Sequence, residues 1–471
     1  MAKPNLIPVV LAVVVALGLS ACASQPAKPP ALELPSQPAK PAPAELDRWW
    51  LSFADPQLDK LIDEALAHNS DVLLASERVQ AARASLALAT SALYPEVNAT
   101  GSASRNSSSQ ATDQPRQPGA PVATNTYRLG LAMSYELDLW GRVAAGRMMA
   151  EQTVNASRYN QEAGRAMVAA AVVRSYFTLL SLDRQLQMAE RHLAIRQELR
   201  TLRQKRRAAG LDGPDSLEAA EQALAQASGN RAQLASGRDK AELALAGLLG
   251  RSPRQIVEAK PDRATGFERY AGTAEIPAGL PSDLLQRRPD VRAAEADYAA
   301  ADAGVAEARR RYFPSLSLTG FLGGESASLS DVLKSAARTW NVAAAVSQPL
   351  TGFVRIGAQV DAAEANKRQA ELRYQQVARS AYTDALSALT QHRSSRDSWR
   401  EAEKRLQSQQ RLDQLAQLRF KQGVIDRLAL LEAESGRLGA EYERDNALRD
   451  RLTALVDVYQ ALGGGWSGKL E

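Results

Sequence analysis

The sequence predicts a mainly α-helical protein with membrane β-strands, built from two copies of one unit. Two segments of the chain repeat one another, two proline-free stretches have the length of very long helices, and four short segments alternate apolar with polar or small residues. The fold expected from these observations is a long α-helical barrel. Four strands per chain would contribute to a trimeric β-barrel of about 12 strands.

Composition narrows the classes of function open to this chain of 471 residues. The formal net charge of +5 on so long a chain is poor support for nucleic-acid binding. A single cysteine excludes an intramolecular disulfide, and three histidines far apart in sequence nearly exclude a zinc site of His and Cys. We therefore expect no metal and no cofactor. The motifs of common hydrolases are missing, so an enzyme is the least expected class.

The first residues predict export and lipidation. The apolar run within residues 1–21 is shorter than the roughly 20 residues that cross a bilayer, so this segment is interpreted as a signal peptide. It ends in Leu19-Ser20-Ala21-Cys22, which resembles the lipobox of bacterial lipoproteins. We expect Cys22 to carry the lipid. The alternative is a generic cleavage site with an incidental cysteine.

Residues 22–45 are interpreted as a lipidated tether. The residue after the cysteine is Ala23 and not the Asp that often retains such lipoproteins in the inner membrane, which points to the outer membrane of a Gram-negative cell. Seven prolines between Ala23 and Ala44 favour extended polyproline conformations, which bury little surface. We expect this segment to connect the lipid anchor to the folded part.

The body of the chain is an internal repeat. Residues 61–101 align with residues 280–320 at one constant offset, which pairs Asp71 with Asp290 and Pro95 with Pro314. The predicted boundaries are 46–250 for the first repeat, 251–283 for a linker, 284–462 for the second repeat and 463–471 for a C-terminal tail.

Each repeat predicts the same order of elements: a helix, two strands, a very long helix, a glycine turn and a second helix. The turns lie at Gly210 and Gly423. Each long helix would measure roughly 100 Å at 1.5 Å per residue, which does not fit a compact globule. The helices are expected at 142–208, 214–248, 355–421 and 426–461, and the strands at about 95–105, 126–138, 314–323 and 339–349.

The alternating segments favour membrane strands. Tyr127, Leu129 and Leu131 fall on one side of such a strand, and small or polar residues fall on the other. Each segment alone fits a half-buried hairpin of a soluble sheet equally well, but the lipobox and the duplication favour the membrane. Because four strands cannot close a barrel in lipid, the chain must oligomerise. Small, polar inward faces suit a channel, and so the trimer rather than the dimer.

Four motifs along the chain resemble one known family. They are Arg48-Trp49-Trp50 with Phe53 and Asp55-Pro56, the run Leu284–Glu295, the run Phe313–Gly320 and the closing run Ala461–Trp466. Together they resemble outer-membrane efflux proteins of the TolC superfamily, in the OprM/NodT-type lipoprotein branch. The resemblance covers nearly the whole mature chain.

The resemblance implies a homotrimer in the outer membrane with a long periplasmic extension. It implies a passive conduit that joins an inner-membrane RND-type pump through a periplasmic adaptor, the membrane fusion protein. Drugs, solvents and other small amphiphiles would be exported. Its alternatives are a channel for type I-like protein or oligosaccharide export, a periplasmic adaptor, or a coiled-coil lipoprotein without a pore.

The resemblance also implies a gate at the periplasmic end. Gly210 and Gly423 would be the tip turns, and Leu428 and Glu432 match an aliphatic and a carboxylate position of the closed gate. For Glu432, a solvated helix residue is the alternative. Ser435 stands where OprM-like members can carry Arg, so a lock that uses that Arg is not expected here.

One basic segment and one glycine-rich segment remain to be interpreted. The cluster Arg203, Lys205, Arg206 and Arg207 near the first tip predicts a solvated face or an adaptor contact. The segment 463–470 has the spacing of a phosphate loop, but Leu470 replaces the Ser or Thr that would hold magnesium. Since no helix can follow it, we expect no nucleotide site.

Overall fold

The structure is a computed structural model of the chain, and it describes residues 27–30, 47–107, 109, 121–258, 261–272, 287–468 and 470. This part of the chain is mainly helical, which confirms the predicted fold class. Its helices and strands run in the order α1 (Pro56–His68), α2 (Ser70–Ser91), β1 (Glu96–Asn106), β2 (Thr124–Leu137), α3 (Arg142–Ala208), α4 (Pro214–Leu248), α5 (Pro253–Glu258), α6 (Pro289–Arg310), β3 (Ser315–Ser326), β4 (Arg338–Ser347), α7 (Phe353–Lys421) and α8 (Arg427–Ala461).

The described chain forms two compact units. The sheet unit contains Gln80–Ala156 and Ala294–Tyr374, and the helical unit contains 47–79 with the described parts of Ser157–Ala293 and 375–470. Each unit therefore combines a segment of the first repeat with the matching segment of the second. The duplicated halves pack beside one another within each unit.

The sheet unit is built on four antiparallel strands in the order β1-β2-β3-β4. The central β2–β3 ladder joins the two repeats, with Met133 opposite Gly320. Among the described residues, β1 pairs only with β2 and β4 only with β3. Both edges of the sheet are therefore open in a single chain.

Neighbouring rows of the sheet have opposite chemistry. One row across the four strands is apolar, and its large members Leu131, Leu322 and Trp340 are 50%, 65% and 73% exposed. The next row is small or polar and consists of Thr100, Gly130, Gly323 and Thr339. Because side chains alternate along a strand, these rows belong to an apolar face and a polar face. Apolar residues this exposed are typical of strands that face lipid.

Prolines limit the strands at one end of the sheet. Strand β3 begins at Ser315, directly after Pro314, and β4 ends at Ser347, before Pro349. Proline has no backbone N–H to donate to a ladder, so it does not extend a paired strand. This is why β4 ends before residue 349, the predicted end of the strand.

The N-terminal part of the helical unit is anchored by aromatic side chains. A 3₁₀ helix, Trp49–Phe53, precedes α1. Trp49 is 2% exposed and stacks on Tyr459 of α8 with ring centroids 5.0 Å apart, and Phe53 meets Phe177 of α3 edge to face at 4.9 Å. The Trp-Trp motif is therefore part of the core.

Asp55 explains the second half of that motif. Its carboxylate caps α1 by accepting the Gln57 amide at 3.0 Å, and Pro56 occupies the first helical turn. The same carboxylate accepts the hydroxyls of Tyr176, at 2.6 Å, and Tyr270. Burial opposes ionisation, but these hydrogen bonds outweigh it and hold the Asp55 pKa below its ordinary value.

One apolar stripe of the first long helix is buried between its neighbours. Leu186 and Ala189 of α3 form a cluster with Leu234 of α4. Leu182 of α3 and Tyr442 of α8 pack against this cluster. Among the described residues, α3 contains a stretch whose mean hydropathy of 1.4 suits a membrane span, but 61% of it is buried inside the protein. We interpret α3 as a core helix.

Two segments predicted as linker and tail contain packed residues. In the 251–283 segment, α5 is followed by a 3₁₀ helix, Phe267–Gly272, in which Phe267 and Tyr270 are buried; residues 259–260 and 273–286 lie outside the described part. In the tail, Trp466 is 4% exposed and meets Tyr159 edge to face. The described glycines near Trp466 therefore belong to a packed turn.

Candidate functional site

The two glycine turns end the long helices in the same way. Gly210 has a φ of +72° and Gly423 a φ of +74°, a conformation that costs other residues strain. The Leu211 amide donates to the Arg206 carbonyl at 2.9 Å, and Val424 makes the equivalent bond in the second turn at 2.9 Å. This is the Schellman pattern, in which glycine lets the chain satisfy the last helical carbonyls and reverse.

The basic cluster at the first turn is only partly neutralised. Arg203 and Arg206 reach the carboxylate of Asp212 at 3.2 and 3.1 Å, and that side chain is only 8% exposed. The two arginines therefore brace the turn. Lys205 and Arg207 are exposed, and no described residue forms an ion pair with either of them.

The start of α8 is fixed to α3. Asp426 caps α8 by accepting the Ala429 amide at 2.9 Å. Arg427 donates to both carboxylate oxygens of Glu198 at 2.7 and 3.0 Å. Leu428 is 8% exposed because it belongs to an apolar cluster of Ile195, Leu199, Leu428, Leu431 and Leu438. Of the two predicted gate residues, Leu428 thus packs against α3 of its own chain.

Glu432 lies one turn further along α8 and is open to solvent. Its side chain is 57% exposed, and one oxygen lies 3.8 Å from the Arg196 guanidinium on α3. Arg196 also donates to the Ser435 hydroxyl at 3.1 Å and to His192 at 3.4 Å. In this chain a positive charge beside Ser435 is therefore supplied from α3.

The hydrogen bonds around His192 favour its neutral form. Its Nε2 lies 3.1 Å from the Ser435 hydroxyl and 3.4 Å from the Arg196 Nε–H, which donates. An Nε2 that accepts from Arg196 cannot carry a proton. Burial lowers the His192 pKa, and the neighbouring Arg196 charge lowers it further, although Glu432 opposes both. A neutral His192 completes a polar cluster of His192, Arg196, Glu432 and Ser435, which we name the tip cluster.

The polar face of the sheet carries one aromatic and charged group. The Arg128 guanidinium lies 3.8 Å from the centre of the Phe321 ring and 3.7 Å from the Glu325 carboxylate. The ring covers Gly130 and Gly323, where an added Cβ would come within 2.8 and 2.9 Å of it. These two glycines therefore make room for the ring.

The structure brings together some predicted site residues and adds others. Leu428 and Glu432 lie on the same side of α8, toward α3, and the turns at Gly210 and Gly423 end the two long helices. Cys22 lies outside the described residues. Sequence reasoning missed His192 and Arg196, whose four-residue spacing on a helix was the only available signal.

Comparison with known proteins gives the family. The family model described as "Outer membrane efflux protein" matches residues 61–251 and 280–464, one segment in each repeat. The chain belongs to the outer membrane efflux protein family. The family predicted from the four motifs is confirmed.

The chain aligns with individual relatives along nearly their whole length. The chain is 32% identical to the pyoverdine export outer membrane protein OpmQ of Pseudomonas aeruginosa, covering 95% of each chain. It is 30% identical to the cation efflux system protein CusC of Escherichia coli, covering 89% of this chain and 88% of CusC. Among solved structures, the Campylobacter jejuni CmeC outer membrane channel superposes with a TM-score of 0.83 at 26% identity, over 94% of this chain and 96% of CmeC.

Family membership confirms the predicted role and location. The chain is an outer-membrane channel component of a tripartite efflux system, and its helices extend into the periplasm. Its partners are further copies of itself in a homotrimer, a periplasmic adaptor and an inner-membrane pump. A trimeric β-barrel of the outer membrane presents an apolar band to lipid, and the exposed apolar row of this sheet has that character.

Proposed function

We propose that the chain is a passive conduit for small amphiphilic molecules such as drugs and solvents, with no catalytic step of its own. The observation that carries this proposal is the polar face of the sheet, whose row of Thr100, Gly130, Gly323 and Thr339 has only small side chains, with the Phe321 ring lying over the two glycines. A surface of small side chains has few groups that discriminate between solutes. Selection then falls to the pump, and OpmQ and CusC are named for unlike cargoes, pyoverdine and cations.

Two neighbouring residues test the assignment of the faces. Val342 lies on the apolar face and is 70% exposed, and Ala343 lies on the polar face opposite Thr319. Arginine at a lipid-facing midplane position costs about 2–4 kcal/mol, and a lumen position tolerates it. We expect Val342→Arg to reduce insertion, and Ala343→Arg to insert normally, lower conductance in planar bilayers and reduce drug export. Equal behaviour of the two variants would contradict the proposal.

We propose that the conduit is shut at its periplasmic end by the tip turns at Gly210 and Gly423 and by the start of α8. Threefold symmetry would repeat Glu432 three times around the opening, where carboxylates attract cations. Leu428 would hold this face of α8 in place through its contacts with Ile195 and Leu199. Support comes from the exposure of Glu432 and from the positive charge of Arg196 on α3, which lies 3.8 Å from its carboxylate.

We propose that Cys22 carries the lipid anchor, as its place after Leu19-Ser20-Ala21 predicts. The buried Trp49 and Asp55 would then fix the tether to the folded unit. Mass spectrometry of the mature N-terminus tests the anchor, and an unmodified thiol on Cys22 would disprove it. We expect Cys22→Ala to block lipoprotein processing while some trimer still forms, since the barrel inserts by itself.

A further inference from the structure

A cavity of about 430 Å³ lies in the sheet unit, where the strands meet the long helices. It is bounded by the end of β2, the starts of α3 and β3, the end of β4 and the start of α7. Four arginines line it, namely Arg142, Arg310, Arg311 and Arg355, against two carboxylates, Glu136 and Asp138. We name it the junction cavity. Nothing in the gate or the lipid anchor depends on it.

Both carboxylates of the junction cavity are already engaged. Glu136 accepts two hydrogen bonds from Arg142, at 3.1 and 2.7 Å. Asp138 accepts the amides of Val143 and Ala144 at the start of α3, at 3.0 and 2.8 Å. Glu136 is therefore paired with Arg142, whereas Asp138 keeps its negative charge and is held in place by backbone amides of α3.

Within the part of the chain that the structure describes, two of the four guanidinium groups have no carboxylate partner. Arg311 pairs with Glu307 at 3.0 Å. Arg310 donates to the Gly141 carbonyl at 2.7 Å, which holds its side chain in the cavity but leaves its charge uncompensated. Arg355 is exposed at the start of α7, and no described residue forms an ion pair with it. Among the described residues, Arg310 and Arg355 are therefore the arginines of the junction cavity without an ion-pair partner, and four lining arginines outnumber two lining carboxylates.

One wall of the junction cavity is a flat apolar surface. Trp140 and Phe313 stack with ring centroids 5.1 Å apart, and they are 46% and 50% exposed. Trp140 is held by its indole N–H, which donates to the Pro314 carbonyl at 2.7 Å. Fixed aromatic rings beside free guanidinium groups offer an apolar body and an anionic head separate places to bind.

We propose that the junction cavity binds an amphipathic oxyanion, with its phosphate or carboxylate on Arg310 and Arg355 and its apolar part against Trp140 and Phe313. Arginine is suited to such heads because its planar fork donates two hydrogen bonds to two oxygens. The volume lies within the range of small-ligand pockets. The same chemistry is found in the headgroup region of an anionic phospholipid and in a soluble organic phosphate passing through the channel.

The test uses the full-length trimer and two probes. Phosphatidylglycerol retained in nanodiscs is measured by native mass spectrometry, and phenyl phosphate binding by calorimetry. We expect at least one probe to bind the parent protein. The double variant Arg310→Gln/Arg355→Gln should bind that probe about tenfold more weakly. Arg368→Gln is the matched control, because Arg368 is 66% exposed on α7 outside the cavity. Loss of phosphatidylglycerol identifies a lipid site, and loss of phenyl phosphate identifies a site for a soluble anion.

Arg355→Gln alone guards against misfolding, because no described residue of its own chain forms an ion pair with that side chain. It should weaken binding about threefold with an unchanged trimer, and Arg355→Lys should recover part of the loss. The proposal is wrong if neither probe binds the parent, or if the double variant binds both probes as the parent does. It is also wrong if inorganic phosphate binds as tightly as phenyl phosphate, because the aromatic wall would then contribute nothing.

Discussion

Helices α4 and α8 are both 35 residues long, and each follows a glycine turn at the end of a long helix. In the described chain, α4 has five buried residues and α8 has eighteen. The repeat therefore gave two equivalent helices that now have different surroundings. Helix α8 is a core element of its own chain, and α4 remains largely exposed.

The same contrast holds at the caps of these helices. Helix α8 is capped by Asp426 and tied to α3 by Arg427, whereas α4 is capped by Gly213 without a side-chain hydrogen bond. Helix α7 resembles α4 in having exposed leucines, among them Leu412, which is 55% exposed. In a homotrimer, the exposed sides of α4 and of the part of α7 in the helical unit are the surfaces left for neighbouring copies. Duplication has thus separated helices that hold the chain together from helices left for assembly.

The largest expected effect is a loss of stability that distinguishes the buried helix α8 from the exposed helix α4. Leu452 of α8 is 0% exposed, so Leu452→Ala should leave a cavity and cost about 2–5 kcal/mol. Leu243 of α4 is 56% exposed, and Leu243→Ala should change the stability of the folded chain far less. Thermal unfolding of the detergent-solubilised protein measures both. Equal losses would show that Leu243 packs against a neighbouring copy in the trimer as tightly as Leu452 packs in its own chain.

A second variant tests whether the packing of α8 extends to the gate. Leu428→Ala removes an apolar side chain between α8 and α3, and we expect it to loosen the tip by about 2 kcal/mol and raise conductance in planar bilayers. Leu418→Ala is the control, because this leucine of α7 is 55% exposed near the second turn. If both variants conduct like the parent, Leu428 does not support the closed tip.

Acidification should weaken the tip cluster. The His192 pKa is lowered in the folded chain, so the unfolded chain binds the proton first as pH falls below about 6.5. Stability contributed by neutral His192 is therefore present above this pH and is lost as pH falls through the folded pKa. The new charge would also face Arg196. We expect conductance to rise between pH 7.5 and 5.5, and His192→Gln to remove that rise.

The smallest effect on stability is expected at Glu432. Its pair with Arg196 is long and exposed, so Glu432→Gln should change unfolding by less than about 0.5 kcal/mol. The cation preference of the channel should nevertheless fall, by roughly a factor of two, if three such carboxylates surround the opening. Unchanged reversal potentials in a salt gradient would place Glu432 away from the pore.

The sequence was sufficient for features that depend on local patterns. Proline-free runs, glycine turns and alternation along strands indicated the long helices, the turns at Gly210 and Gly423 and the faces of the sheet. Each of these follows from backbone or side-chain geometry within a few residues. The Asp55-Pro56 cap is similarly local, although its partner Tyr176 is not.

Features that depend on packing were beyond sequence reasoning. Arg196 and Ser435 are 239 residues apart, and no spacing rule joins them. The burial of Leu428 depends on which helix lies beside α8, and two repeats with the same pattern do not reveal which copy becomes central. The same holds for the two arginines of the junction cavity that have no ion-pair partner among the described residues, because four arginines in sequence look alike until their partners are known.

The open edges of the sheet have a genetic consequence. In the described part of a single chain, strands β1 and β4 each have one unpaired side, so every chain depends on its neighbours to complete the barrel. A variant that still assembles but blocks the lumen would therefore disable normal chains in the same trimer. When half of the chains carry it and mixing is random, only about one trimer in eight is free of it. Lumen-blocking alleles should accordingly be dominant over the normal gene, and alleles that fail to assemble should be recessive.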